Sequence, residues 1–179
     1  MHTLLLAGLT ACVNPASPPD RSFALGPEGS LLLPLPAAWS MERDEDPEAI
    51  LTILFTAPSG EQLVVRAFRN PTDDPEFNTA SKVWPAVERA GKTQLDSAVE
   101  TRIQLVELRG TSQVGYYFTL TDRTLVGKTA PPGEYRAMTR GGLGVGDLLL
   151  LFTVLSQDSD APAVHEALDA LAAATVGPE

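Results

Sequence analysis

The segment Leu148 to Leu155 reads Leu-Leu-Leu-Leu-Phe-Thr-Val-Leu, with no charge and one polar side chain. It is far too short to cross a bilayer as a helix, which needs about 20 residues. A continuous apolar run of this length reads as a strand without the usual alternation, and such a strand must be covered on both faces. The chain must therefore build a sheet with packing layers on each side. Its composition allows this: 44% of its 179 residues are apolar and 20% are charged, in the range of folded domains.

The surrounding pattern supplies the other elements. Ser22 to Leu25 and Ser30 to Leu35 form two short strands around Gly26-Pro27-Glu28-Gly29, and Pro34 and Pro36 end regular pairing, which suits an edge. Ile50 to Ala57 and Gln62 to Phe68 flank the turn Pro58-Ser59-Gly60-Glu61 as an antiparallel hairpin. Asp73-Asp74-Pro75-Glu76 opens a helix of about four turns, with its acids and proline suited to the first turn. Phe77, Ala80, Val83, Trp84 and Val87 recur at helical spacing, and Pro85 predicts a kink or a restart there. Val99, Thr101, Ile103 and Leu105 alternate with polar residues as a half-buried strand, and the phase shift at Val106 and Leu108 suggests a bulge. Val114 to Leu120 alternates again, and Glu134 to Thr139 is a further strand. A last helix, capped by Ser159 or Asp160, carries Val164, Ala167, Leu168, Leu171 and Ala172 on one stripe. Strands in runs with helices between them predict an α+β fold with a largely antiparallel sheet.

The amino terminus carries a different signal. Leu9-Thr10-Ala11-Cys12 follows an apolar run and resembles a bacterial lipobox. The run Thr3 to Ala11 suits the apolar region of a signal peptide rather than a membrane span. Only His2 precedes it, where such signals carry Lys or Arg, so the expected translation start lies upstream. Val13-Asn14-Pro15-Ala16-Ser17-Pro18-Pro19-Asp20 reads as a tether. The expected organisation is a signal peptide over 1–11, a lipidated Cys12 with a Pro-rich tether over 12–21, and a single α+β domain over 22–179.

With these elements in place, the chain resembles the PsbP-like group, which includes DcrB-type bacterial lipoproteins and the Ran-binding Mog proteins. The matching residues are Leu31-Leu32-Leu33-Pro34-Leu35-Pro36-Ala37-Ala38-Trp39, the hairpin around Pro58-Ser59-Gly60 and the helix after Asp74. Gly141-Gly142 before the long apolar strand and the closing helix also match. The resemblance covers Ser22 to Thr175 and implies an antiparallel sheet sandwiched by helices. It also implies an adapter or binding module, and no catalytic residue carries over.

The net charge of −10 argues against a nucleic-acid partner, since phosphate binding needs a basic footprint. Cys12 is the only cysteine, so neither an internal disulfide nor a cysteine metal site can form. The acidic stretch Glu42, Asp44, Glu45, Asp46 and Glu48 reads as a solvated loop, without the fixed pattern of a calcium loop. Arg140-Gly141-Gly142-Leu143-Gly144-Val145-Gly146-Asp147 could expose amides to a phosphate, but its glycines precede a strand, which favours a flexible hairpin or bulge. A triad would have to use His165, the single candidate base after Cys12, and Ser112 and Ser156 sit in no nucleophile elbow. Trp84 and Tyr117 are the aromatic candidates for partner binding if exposed. The reading predicts a non-enzymatic binding or adapter module of the bacterial cell envelope, with no cofactor. Its membrane contact is the lipid on Cys12 and its partner an envelope protein. The alternatives are a small-ligand carrier or sensor, with an apolar pocket between sheet and helix, and a small envelope hydrolase using His165.

Overall fold

The computed structural model describes residues 21–25, 29–70, 74–111 and 114–177. In chain order the elements are β1 (Arg21–Ala24), β2 (Ser30–Leu33), β3 (Ser40–Asp44), β4 (Leu51–Thr56), β5 (Gln62–Arg69), α1 (Ala80–Lys92), β6 (Val106–Arg109), β7 (Val114–Thr121), β8 (Ala137–Val145), β9 (Leu148–Ser156), α2 (Pro162–Ala172) and β10 (Thr175–Gly177). Seven strands form one antiparallel sheet in the order β3-β4-β5-β9-β8-β7-β6, and β1-β2-β10 form a second. The apolar run Leu148–Leu155 is β9, the middle strand of the large sheet, paired along its length with β5 and β8.

Alternation along the strands builds two cores. On one face Ile53, Phe55, Leu63, Val65, Leu143, Leu150, Phe152 and Val154 pack with Leu31 and Leu33 of β2 and with Val164, Ala167 and Leu171 of α2. On the other, Val83 and Val87 of α1 pack on Phe118 and Leu120 of β7, with Met138 and Leu149 beside them. The large sheet is thus sandwiched between α1 on one side and α2 with the small sheet on the other.

The Pro-rich segment after β2 is fixed from both ends. The Arg21 guanidinium donates to the carbonyls of Pro36, Ala37 and Trp39 at 3.0, 3.1 and 2.6 Å. The buried Trp39 donates its indole N–H to Glu166 Oε2 of α2 at 2.9 Å. Asn78, also buried, donates from Nδ2 to the carbonyls of Gly146 and Leu148, both at 2.9 Å. That pair joins the approach to α1 to the β8–β9 turn.

Several expectations are corrected. β2 is the middle of its sheet rather than an edge; pairing ends at Leu32 with β10 and at Leu33 with β1, before Pro34 removes a donor. Glu42 and Asp44 lie on β3, an edge strand, rather than in a loop. The helix starts at Ala80, not near Asp74, because residues 74–79 close turns instead; Glu76 N–H donates to Asp74 Oδ1 at 2.9 Å. Asp73 lies outside the described residues. Pro85 neither ends nor restarts α1, whose apolar side is anchored by Val83 and Val87 while Pro85 faces solvent. Val99 to Leu105 is not a strand. Ile103 and Leu105 still pack into the α1 core, but β6 begins only at Val106. In place of a strand neighbour, Glu100 accepts from the Thr121 N–H and hydroxyl at 2.8 and 2.9 Å. Of Arg140 to Asp147, expected as a flexible hairpin or bulge, Gly146 and Asp147 are the turn of the β8–β9 hairpin, whereas Arg140 to Val145 are the body of β8. Neither Ser159 nor Asp160 caps α2, which starts with Pro162 in its first turn after Ala161.

The glycines of β8 follow from close approach. A Cβ on Gly141 would fall on the Tyr116 carbonyl oxygen and within 2.6 Å of Phe152 Cζ. Gly141→Ala should therefore lower stability by about 1–3 kcal/mol, the usual cost of overpacking. Glu166→Ala, which strands the Trp39 N–H, should cost about 1–2 kcal/mol. Urea unfolding of both variants against the wild type measures the two costs.

Candidate functional site

α1 lies over β7 and β8 and stops short of the rest of the sheet. β9 is accordingly buried on one side only. Leu148, Leu150, Phe152 and Val154 are buried, while Leu149, Leu151, Thr153 and Leu155 are half-buried on the α1 side. The expectation of full cover on both faces is corrected here, because one helix spans about 10 Å and roughly two strand spacings.

The uncovered step between helix and sheet is an apolar cleft of about 160 Å³. Val83, Ala86, Val87 and Ala90 form its helical wall, Phe77 of the turns before α1 adds to it, and Phe118, Leu149 and Leu151 form its floor. Phe77, Leu149 and Leu151 also line an adjoining open groove that reaches Ile50 and Phe68. The two are therefore one trough running from β8 across β9 toward β5.

Two cations line the cleft, Lys82 on α1 and Arg140 on β8. Lys82 is paired with Asp74 at 3.5 Å. Arg140 sits in the ladder between Phe118 and Thr153. Among the described residues its guanidinium makes no hydrogen bond and no ion pair. The glycine-rich run was expected to act, if at all, through exposed amides. Arg140 to Gly142 instead pair with both β7 and β9, Leu143 to Val145 pair with β9, and the feature the run presents to the cleft is the Arg140 side chain.

The other candidates are scattered. Trp84 is 44% exposed on α1. Tyr117 is half-buried and packs against the α2-side core, so the two aromatics lie on opposite faces of the sheet and share no patch. His165 is exposed on α2, on the face away from the cleft, and its neighbour Glu166 is held by Trp39. Ser156 is buried, and its hydroxyl has no partner among the described residues, while Ser112 and Cys12 lie outside them. No described cluster of His, Cys, Asp and Glu is placed to hold a metal ion. No described helix is long and apolar enough to cross a membrane.

No protein-family model matches the chain, and no curated protein does. Solved structures do. The fold is PsbP-like, an α+β arrangement of antiparallel sheets and two helices. The solution structure of cyanobacterial PsbP (CyanoP) from Synechocystis sp. PCC 6803 is similar at 17% identity and a TM-score of 0.52, covering 95% of this chain and 98% of that one. A crystal structure from Bacteroides thetaiotaomicron VPI-5482 matches at 17% identity and a TM-score of 0.48. That match covers 83% of this chain, which spans 46% of the Bacteroides chain.

Two carboxylates outside the cleft contribute to the acid response. Asp46 is held below its ordinary value, first by the Glu48 backbone N–H and, against some desolvation, by the Arg66 guanidinium. Asp122 is lowered by the hydroxyl and the N–H of Thr124, both at 2.7 Å. A depressed native value means that the unfolded chain binds protons first as pH falls. The stability from these two groups is complete above the ordinary value of 3.8 and is lost as pH drops through their native values. Denaturant unfolding across the acidic range should therefore show a shallower loss for the Asp46→Asn, Asp122→Asn double variant than for the wild type.

Proposed function

We propose that this protein is a non-enzymatic binding module of the bacterial cell envelope, anchored by a lipid on Cys12 and taking a small apolar ligand in the cleft beneath α1. The cleft carries the proposal. A half-covered central strand leaves apolar surface that one helix cannot close, and the opening narrows to a pocket with few polar groups. The lipobox-like Leu9-Thr10-Ala11-Cys12 and the Pro-rich residues after it support the anchor. A PsbP-like fold is compatible with this role and selects no chemistry by itself.

A second reading, an adapter for an envelope protein, is favoured by Trp84, a large exposed aromatic on the outer side of α1. Cross-linking in intact cells separates the two. Under the adapter reading one protein is recovered repeatedly with the wild type and lost with Trp84→Ala.

The wild-type protein should fractionate with membranes and Cys12→Ala should not. Native mass spectrometry of the purified wild type should retain a small apolar species that is absent from Ala86→Trp, whose indole would fill the cleft mouth from an exposed helical position. Soluble recovery of the wild type with an unmodified Cys12 would overturn the anchor. A species equally bound by Ala86→Trp would overturn the cleft.

A further inference from the structure

Resting on that reading of the cleft, we infer that its ligand is a single-chain aliphatic carboxylate, with the head group on Arg140 and the chain along β9 toward Phe68. The head-group assignment comes from Arg140. It is the one cation lining the cleft that has no partner among the described residues, since Lys82 is engaged by Asp74. Arg140 stands between Phe118 and Thr153, with Leu151 and the α1 side chains closing the space beside it. Arg140 is half-buried, and its guanidinium keeps contact with water beside the apolar side chains while lacking a counter-charge among the described residues. Its planar fork matches a carboxylate with two parallel hydrogen bonds. The chain as a whole carries −10, yet no acidic side chain lines the cleft itself; Asp74 is engaged by Lys82, and Glu48 lines the adjoining groove.

The trough gives the shape of the rest. Arg140 is level with Thr153 in the ladder, and Leu149 is level with Phe68. Four residues of strand separate the two levels, roughly 13 Å. Between them lie Leu151 and Leu149 as floor, with Phe77 as cover at the far end. This is an elongated apolar path starting at a cation, which fits a linear tail better than a ring. The enclosed part, about 160 Å³, is close to the size of an apolar cavity that stays dry and holds one benzene-sized guest. It has room for part of one chain and not for two side by side, which selects a single-chain amphiphile over a diacyl lipid.

Calorimetric titration of the full chain with laurate, methyl laurate and butyrate tests the assignment. Laurate should bind the wild type, methyl laurate more weakly and butyrate not detectably. Arg140→Gln should weaken laurate by at least about tenfold and leave methyl laurate unchanged. Arg140→Lys should keep part of the laurate affinity, and Ala86→Trp should remove binding of both long-chain ligands. Equal affinity for laurate and methyl laurate, or undiminished laurate binding by Arg140→Gln, overturns the carboxylate assignment. The cleft reading survives that result if Ala86→Trp still abolishes binding. Failure of both long-chain ligands to bind, or their full binding by Ala86→Trp, overturns the assignment and the cleft together. If thermal unfolding shows that Arg140→Gln does not fold, the wild-type comparison of laurate with its ester decides.

Discussion

The structure depends on the pairing of β9 with β5 and β8. Leu148 to Leu155 satisfies its backbone on both sides from within the sheet, joining the β3-β4-β5 half to the β6-β7-β8 half. Both cores take residues from it. Leu150, Phe152 and Val154 enter the α2-side core and Leu149 enters the α1-side core. The glycines of β8 serve the same junction, since Gly141 lets Phe152 and the Tyr116 backbone approach where a side chain would hold them apart. With the strands this close, the sheet itself is a dense layer, and whatever covers it must be supplied by helices of limited width.

That limit produces the cleft. The α2-side face is closed by a helix and by a second sheet, with Trp39 and Glu166 fixing one to the other. Among the described residues the one α-helix on the opposite face is α1, thirteen residues long and centred on β7 and β8, with Ile103 and Leu105 packed beneath it. The β5 side of that face is managed with charge instead of cover. Arg66 lies over the Phe68 ring at 5.0 Å and pairs with Asp46, with Glu48 at 3.6 Å. Its stem shields apolar surface while its head stays near water. The step between this charged cover and α1 is where apolar side chains remain accessible, and Arg140, which lines it, lacks among the described residues the partner that Arg66 has. Function is proposed at the place where the layer architecture is incomplete.

Much of the layout was legible in the sequence. The hairpin of β4 and β5, the strand β7, the closing helix and the strand β9 follow from runs and periods within a few residues. The errors have a common cause. Val99 to Leu105 alternates like a strand, yet Ile103 and Leu105 dock under α1, Val99 is exposed, and Glu100 bonds the Thr121 N–H and hydroxyl. The run from Arg140 to Val145 looks like a turn because its glycines lack side chains, yet those glycines are what the crossing strands require. Local pattern reports which residues are apolar or flexible. It does not report which donor completes a strand edge or which backbone comes within contact distance. The same applies to the candidate site. Trp84 and Tyr117 look alike in sequence, and only the pleat and the neighbouring layers put one in solvent and the other against a core.

The sequence by itself determined that β9 would be central, because an uncharged apolar run is best placed away from the sheet edges, and that the fold would be α+β, because its strands come in runs with helices between them. It also carries the lipobox-like amino terminus, which lies outside the described residues. Tertiary structure alone decided which face of that strand is closed and which is open, and it placed Arg140 in the opening. The reason is that cover depends on where a helix comes to rest across a sheet. That position is set by packing among residues distant in the chain, such as Val83 and Val87 on Phe118 and Asn78 on the Gly146 carbonyl.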